Sequence, residues 1–206
     1  MTCKWTRVAL CLVPAACSLV LSGCARPVSA NTRFYMLQTL RQAPPATREG
    51  KAVLAIPRFT IDAAYAGRGL VYRLDEHRYE SDAYNEFLIA PAVMATEKTR
   101  DWLAGSGLFA QVLSSGSGAD PTHRIEANIT ALYGDFRDKA APKAVIEMRF
   151  FLLRTETGID PEIVFAKSYR AACDTRTADP EGLVAGFDQC LRTILTELEK
   201  DLADVV

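Results

Sequence analysis

From Arg124 to Ala131 polar and apolar side chains take turns. Arg124, Glu126, Asn128 and Thr130 are polar, while Ile125, Ala127, Ile129, Ala131 and Tyr133 are not. A period of two belongs to a strand with one face buried, so a strand is predicted over 123–136 with those five side chains on its core face. "AVIEMRFFLL" at 144–153 repeats the pattern through Ile146, Met148, Phe150 and Leu152. "EIVFAKSYRAA" at 162–172 supplies a third strand after the turn "TGIDP". Short turns between three consecutive strands predict an antiparallel meander. The period then lengthens. Leu183, Phe187, Leu191, Ile194, Leu198 and Leu202 recur in steps of three and four, the stripe of a helix that buries one side. Asp179 can cap that helix and Pro180 suits its first turn.

The first half reads less sharply. "RFYMLQ" at 33–38 and "KAVLAIPRF" at 51–59 are predicted strands, the second continuously apolar and so central in its sheet. "GLVYRL" and "HRYES" flank Asp75-Glu76 and form a predicted hairpin, although its turn lacks the glycine that a tight primed turn prefers. Over 90–104 the pattern is helical. Pro91 fits the first position, Met94, Ala95, Lys98, Thr99, Trp102 and Leu103 share one side, and Gly105 and Gly107 end it. "LFAQVL" at 108–113 follows as a strand. "QAPPATREG" at 42–50 and "SSGSGADP" at 114–121 read as connections. Together these elements predict an α+β fold. Residues 33–206 form a single domain, with a mixed or antiparallel sheet covered by two main helices.

The N-terminus follows other rules. Lys4 and Arg7 precede an apolar run from Val8 to Leu21 that is too short to span a bilayer, which takes about 20 residues. This is the anatomy of a signal peptide, predicted over 1–23. Leu21-Ser22-Gly23-Cys24 then resembles the lipobox of bacterial lipoproteins. In such proteins cleavage falls between the residues corresponding to Gly23 and Cys24, and the thiol carries diacylglycerol. Each buried methylene contributes about 0.8 kcal/mol, so several acyl chains, such as palmitate, hold almost irreversibly. Under the sorting rule that goes with this motif, Ala25 after the cysteine directs the protein to the outer membrane, facing the periplasm. Residues 24–32 form a short lipidated tether. Its stretch "ARPVSANT" reaches at most about 27 Å. Loss of residues 1–23 removes two cations and no acid, moving the net charge from −1 to −3. Nothing there suggests a nucleic-acid partner.

Catalytic patterns are not evident. His77 and His123 are far apart and lack ligand spacing, so neither a metal nor a cofactor is expected. "AGRGL" at 66–70 lacks the lysine of a phosphate loop, and "SGSG" at 115–118 is not a nucleophile elbow. Asp75, Glu76, Glu80, Asp82 and Glu86 read as a solvated face. Cys173 and Cys190 are candidates for a disulfide, which would contribute about 3 kcal/mol by chain entropy, and equally for two buried thiols. Tyr65, Tyr72, Tyr79 and Tyr84 interleave with Arg68, Arg73 and Arg78. Tyrosine and arginine are enriched at interfaces, so these seven residues are a candidate partner surface, beside the plainer reading of half-buried strands.

The block "IPRFTIDAAYAGRGLVYRLDEHRYESDAYNEFLIAPAVMATEKTRDWLAGSGLFAQV", with "RFYMLQ" before it and "ALYGDFRD" after, resembles the ABC-type transport auxiliary lipoprotein family. Its PqiC-like members work beside mammalian-cell-entry (MCE) proteins. The resemblance covers roughly 33–204 and contains no catalytic motif. It implies a non-enzymatic outer-membrane lipoprotein that assists transport of lipids or other hydrophobic compounds between membranes. The partners it implies are an MCE-domain protein, ABC transporter subunits and further copies of the chain. A periplasmic lipid carrier is the alternative, which requires a deep apolar pocket between sheet and helices. A periplasmic enzyme ranks below both.

Overall fold

The computed structural model describes residues 31–45, 50–113, 117–155 and 160–206. The signal peptide, Cys24 and most of the tether lie outside these residues, as do parts of the predicted connections at 42–50 and 114–121 and of the turn "TGIDP". Among the described residues one sheet of nine strands is built around β7, His123–Asp135. One edge of β7 pairs antiparallel along its whole length with β8, Lys143–Arg154, which pairs antiparallel with β9, Glu162–Asp174. This is the expected meander. The other edge of β7 is covered piecewise by three short parallel strands. These are β2 (Val53–Ala55), β3 (Thr60–Ile61) and β4 (Gly69–Arg73). β4 forms the expected hairpin with β5, Tyr79–Phe87, and β1, Arg33–Tyr35, lies parallel to β5 at the sheet edge. β6, Gln111–Leu113, flanks β2, so β2 is interior as predicted.

The strand predicted over 51–59 shrinks to three residues. Pro57 has no N–H for a ladder, and the Phe59 N–H donates to Thr96 Oγ1 instead. The hairpin closes without glycine because Asp75 accepts from the N–H groups of His77 and Arg78, an Asx turn.

Two helices cover one face of the sheet. α1, Pro91–Ala104, starts at Pro91 and ends at Gly105, and Gly107 adopts φ 76°, a conformation that suits glycine. α2, Pro180–Ala203, is capped by Asp179, whose side chain accepts from Gly182 N–H at 2.7 Å. Its six-residue stripe is buried as expected and meets Ile146, Met148, Phe150 and Leu152 of β8. Thr96, fully buried on α1, was not among the predicted inner residues, while Lys98 stays half-buried.

One expectation is overturned. Ala131 and Tyr133 do not share the core face with Ile125, Ala127 and Ile129. The register shifts between Ile129 and Ala131, because Ile129 pairs with Met148 and Ala131 with Glu147, leaving Thr130 over. This β-bulge turns the rest of β7 by one position. Leu132 joins the main core, while Ala131 and Tyr133 gather with Val145 in a separate cluster on the helix-free face.

α2 approaches β8 through small residues. A Cβ placed on Gly186 would stand 2.7 Å from Ala144 Cβ. Gly186→Val is therefore expected to destabilise by about 1–3 kcal/mol through overpacking. Ala144→Gly in the same background is expected to return part of that loss, read as a coupling energy in urea unfolding.

Candidate functional site

The helix-free face of the sheet is closed by aromatic rings. Tyr65, on a single 3-10 turn over Ala63–Tyr65, stacks on Tyr133 with centroids 6.1 Å apart and an interplanar angle of 22°. Tyr79, at the start of β5, meets the same ring edge-on at 5.6 Å. The Arg73 guanidinium lies 5.6 Å from the Tyr79 centroid, a cation–π pair. From the other side Arg170 of β9 donates to the Tyr133 hydroxyl at 3.1 Å and to Glu147 at 2.6 Å. Burial, followed by the neighbouring Tyr79 and Tyr133, holds the Tyr65 hydroxyl above its ordinary pKa. Glu147, then Tyr133, raises that of Arg170. Tyr79 is 42% exposed, Tyr133 only 4%. The result is a rigid platform of three rings flanked by two arginines.

Of the seven residues read as a candidate surface, the structure gathers only Tyr65, Arg73 and Tyr79 here. Tyr72 lies apart from them and fits the half-buried strand reading. Neighbouring strand positions face opposite ways, so Tyr72 turns to the helix side, packs edge-on against Phe136 at 5.3 Å and donates to Asp82. Arg68 sits at the sheet edge, paired with Glu86 at 3.0 Å. Arg78 pairs with Glu80 beside the hairpin turn, and Tyr84 is exposed farther along β5. Sequence reading missed Tyr133, Arg170 and Glu147. They arrive from strands distant in the chain, and the one local sign of the displaced register that aims Tyr133 outward is apolar Leu132, where the period of two calls for a polar residue.

The acidic run is more structural than its solvated reading. Burial opposes ionisation of Asp82, but four donors outweigh it: Tyr84 N–H, both nitrogens of Asn85 and the Tyr72 hydroxyl hold the carboxyl below its ordinary range. Asp201 is depressed by Lys167 and then by Tyr169, and Asp135 by Arg137. Glu199 joins three segments. It accepts from Arg41 through both oxygens and from Trp102 Nε1 at 2.7 Å. About three turns earlier on α2, Asp188 accepts from Gln38 N–H and Thr39 Oγ1. His123 is shifted down by burial and then by Arg154, well away from His77 in the hairpin turn.

Cys173 and Cys190 are free thiols here. They are neighbours nonetheless. Cys173 pairs with Ala144 across β8 and β9, the Cys190 thiol donates to Ala144 O at 3.2 Å, and burial followed by the adjacent Cys173 thiol pushes the Cys190 pKa up. Between sheet and helices, Phe87, Phe150 and Phe187 are buried to 2% exposure or less and fill the interior. An open groove of about 430 Å³ lies instead at the surface, lined in part by Trp102, Leu108, Arg192 and Ala203. No helix among the described residues is long and apolar enough to cross a membrane.

No family model matches the sequence, and no curated protein does. Among solved structures the chain is similar to protein XCC0632 from Xanthomonas campestris, of family DUF330. The identity is 16% and the TM-score 0.69, covering 82% of this chain and 93% of that one. A crystal structure of an uncharacterized protein is matched at 14% identity and TM-score 0.66, covering 84% and 99%. Lipoprotein GNA1162 from Neisseria meningitidis is matched at 8% identity and TM-score 0.38, covering 74% and 99%, a likeness too slight to bear on function. The first two establish the α+β fold and assign no residue a role.

A carboxyl held below its ordinary value of 3.8 stabilises the fold above that pH, and the contribution is lost as pH falls through the folded value. Asp82→Asn is thus expected to lower stability at pH 7 and to flatten its decline below about pH 4. Urea unfolding at a series of pH values reads both effects.

Proposed function

We propose that this chain is a non-catalytic lipoprotein, held at the periplasmic face of the outer membrane by acyl chains on Cys24. There it serves as an auxiliary component of an ABC-type system that moves lipids or other hydrophobic compounds between membranes. Its task is to dock an MCE-domain protein. The observation that carries this reading is the sheet face left free of helices and closed by Tyr65, Tyr79 and Tyr133 between Arg73 and Arg170. Rigid tyrosines that lose little entropy on binding, with arginines held ready beside them, are the chemistry of a protein interface. The leader, the Leu-Ser-Gly-Cys motif and the family resemblance support the anchor and the partner class. The packed interior favours docking over a carrier that would hold lipid between sheet and helices.

Two measurements test it. Metabolic labelling with a palmitate analogue is expected to mark the protein, and Cys24→Ser to abolish the label and release the domain from membranes. Tyr79→Ala is expected to weaken capture of the MCE-domain partner about tenfold or more while circular dichroism stays unchanged, since interface tyrosines contribute about 2 kcal/mol. An unlabelled protein removes the anchor, and undiminished capture removes the docking face.

An exported domain meets an oxidising compartment, and we infer that Cys173 and Cys190 are joined there. A disulfide of an exported oxidant accepts both electrons, leaves as two thiols, and a bond forms between the two sulfurs. The mature protein is expected to resist alkylation until reduced. Two alkylatable thiols without reductant overturn the bridge.

A further inference from the structure

The sheet edge carries a second exposed feature. Phe34 is 52% exposed on β1 and Leu88 is 46% exposed just past the end of β5, with Met36 and Ile89 exposed beside them. These side chains come from two segments bound to each other. Phe34 pairs with Glu86, and Leu88 N–H donates to Tyr35 O at 2.9 Å. Arg68 completes the group. Its guanidinium lies 5.9 Å from the Phe34 centroid, donates to Leu88 O at 3.3 Å and pairs with Glu86, while remaining half exposed. Arg33, next to Phe34, is also largely exposed. An apolar cluster with arginine at its rim therefore stands open at one end of β5.

The chain before it identifies what covers it. Residues 25–32 separate Cys24 from Arg33, a span of at most about 27 Å. Resting on the lipid anchor proposed above, this patch is the part of the described domain tethered most closely to the bilayer. Apolar side chains settle about 5–10 Å into the headgroup boundary, and arginine stems let their charged ends reach phosphate. We propose that Phe34, Met36, Leu88 and Ile89, with Arg33 and Arg68, seat the domain on a phospholipid surface. β5 then sets the orientation. Tyr79 lies at its other end, roughly 25 Å from Phe87 at strand rise, so seating this end turns the tyrosine platform away from the membrane.

The test uses the full, lipidated chain in vesicles of phosphatidylethanolamine and phosphatidylglycerol, some bearing a doxyl quencher at carbon 5 of an acyl chain. Leu88→Trp, and separately Met36→Trp, report on the patch, Tyr79→Trp on the far end, and the buried Trp102 on the fold. Emission from the patch tryptophans is expected to shift blue and to be quenched at least twofold more than that of Tyr79→Trp. If the protein floats with the vesicles but neither patch reporter is quenched beyond Tyr79→Trp, the seat is wrong and the anchor stands. If it does not float, anchor and seat fall together. Crosslinks between patch residues of two copies, with no quenching, assign the patch to a second copy and also overturn the seat.

Discussion

The seam between α2 and the β7–β8–β9 meander is the contact on which the rest of the molecule depends. Leu183, Phe187, Leu191, Ile194, Leu198 and Leu202 are all 1% exposed or less, set against Ile146, Met148, Phe150 and Leu152 of β8. Each large apolar side chain taken wholly from water contributes about 1.5–3 kcal/mol, so this row of six is a large part of what holds helix to sheet. The close approach of Gly186 to Ala144 lets the helix lie flat enough to bury that row. Both helices lie on this one face, so the opposite face has to be finished with side chains alone. Tyrosine does this well, because its ring excludes water from the strands beneath while its hydroxyl stays compatible with solvent or a hydrogen bond.

Most of this was legible from periodicity, because the meander and α2 bury one side each and bury it thoroughly. The stripe of α2, the cap at Asp179, the start of α1 at Pro91 and the alternation in β8 are local patterns, each read within its own element. The misses have a common cause, which is dependence on a distant chain segment. The surplus Thr130 in β7 is defined only against Met148 and Glu147 of its partner. β2 to β4 are short because each pairs with only part of β7. The grouping of Tyr65, Tyr72, Tyr79 and Tyr84 by sequence could not separate Tyr72, whose strand position aims it inward, from Tyr79. Nor could it bring in Arg170.

The electrostatics divide by role. Asp82, Asp179 and Asp201 are each engaged by nearby donors and hold turns, a cap and a helix end in place. Arg73 and Arg170 lie against tyrosine rings or hydroxyls on the open face, where Arg73 also donates to Asp75 O and Glu76 O in the hairpin turn and Arg170 to Glu147. Arginine suits that position because its planar cation can lie against a ring while its N–H groups hydrogen-bond in their own plane.

The strap over 38–41 bears on how the domain would carry tension. Gln38 and Thr39 are fastened to Asp188, and Arg41 to Glu199, so residues just beyond β1 are bolted to the longest helix of the fold. A pull arriving from the N-terminus is therefore not left to a three-residue edge strand that could peel away. It passes within ten residues into α2 and from there across the entire hydrophobic seam. Load on β1 is thus shared with the seam between helix and sheet.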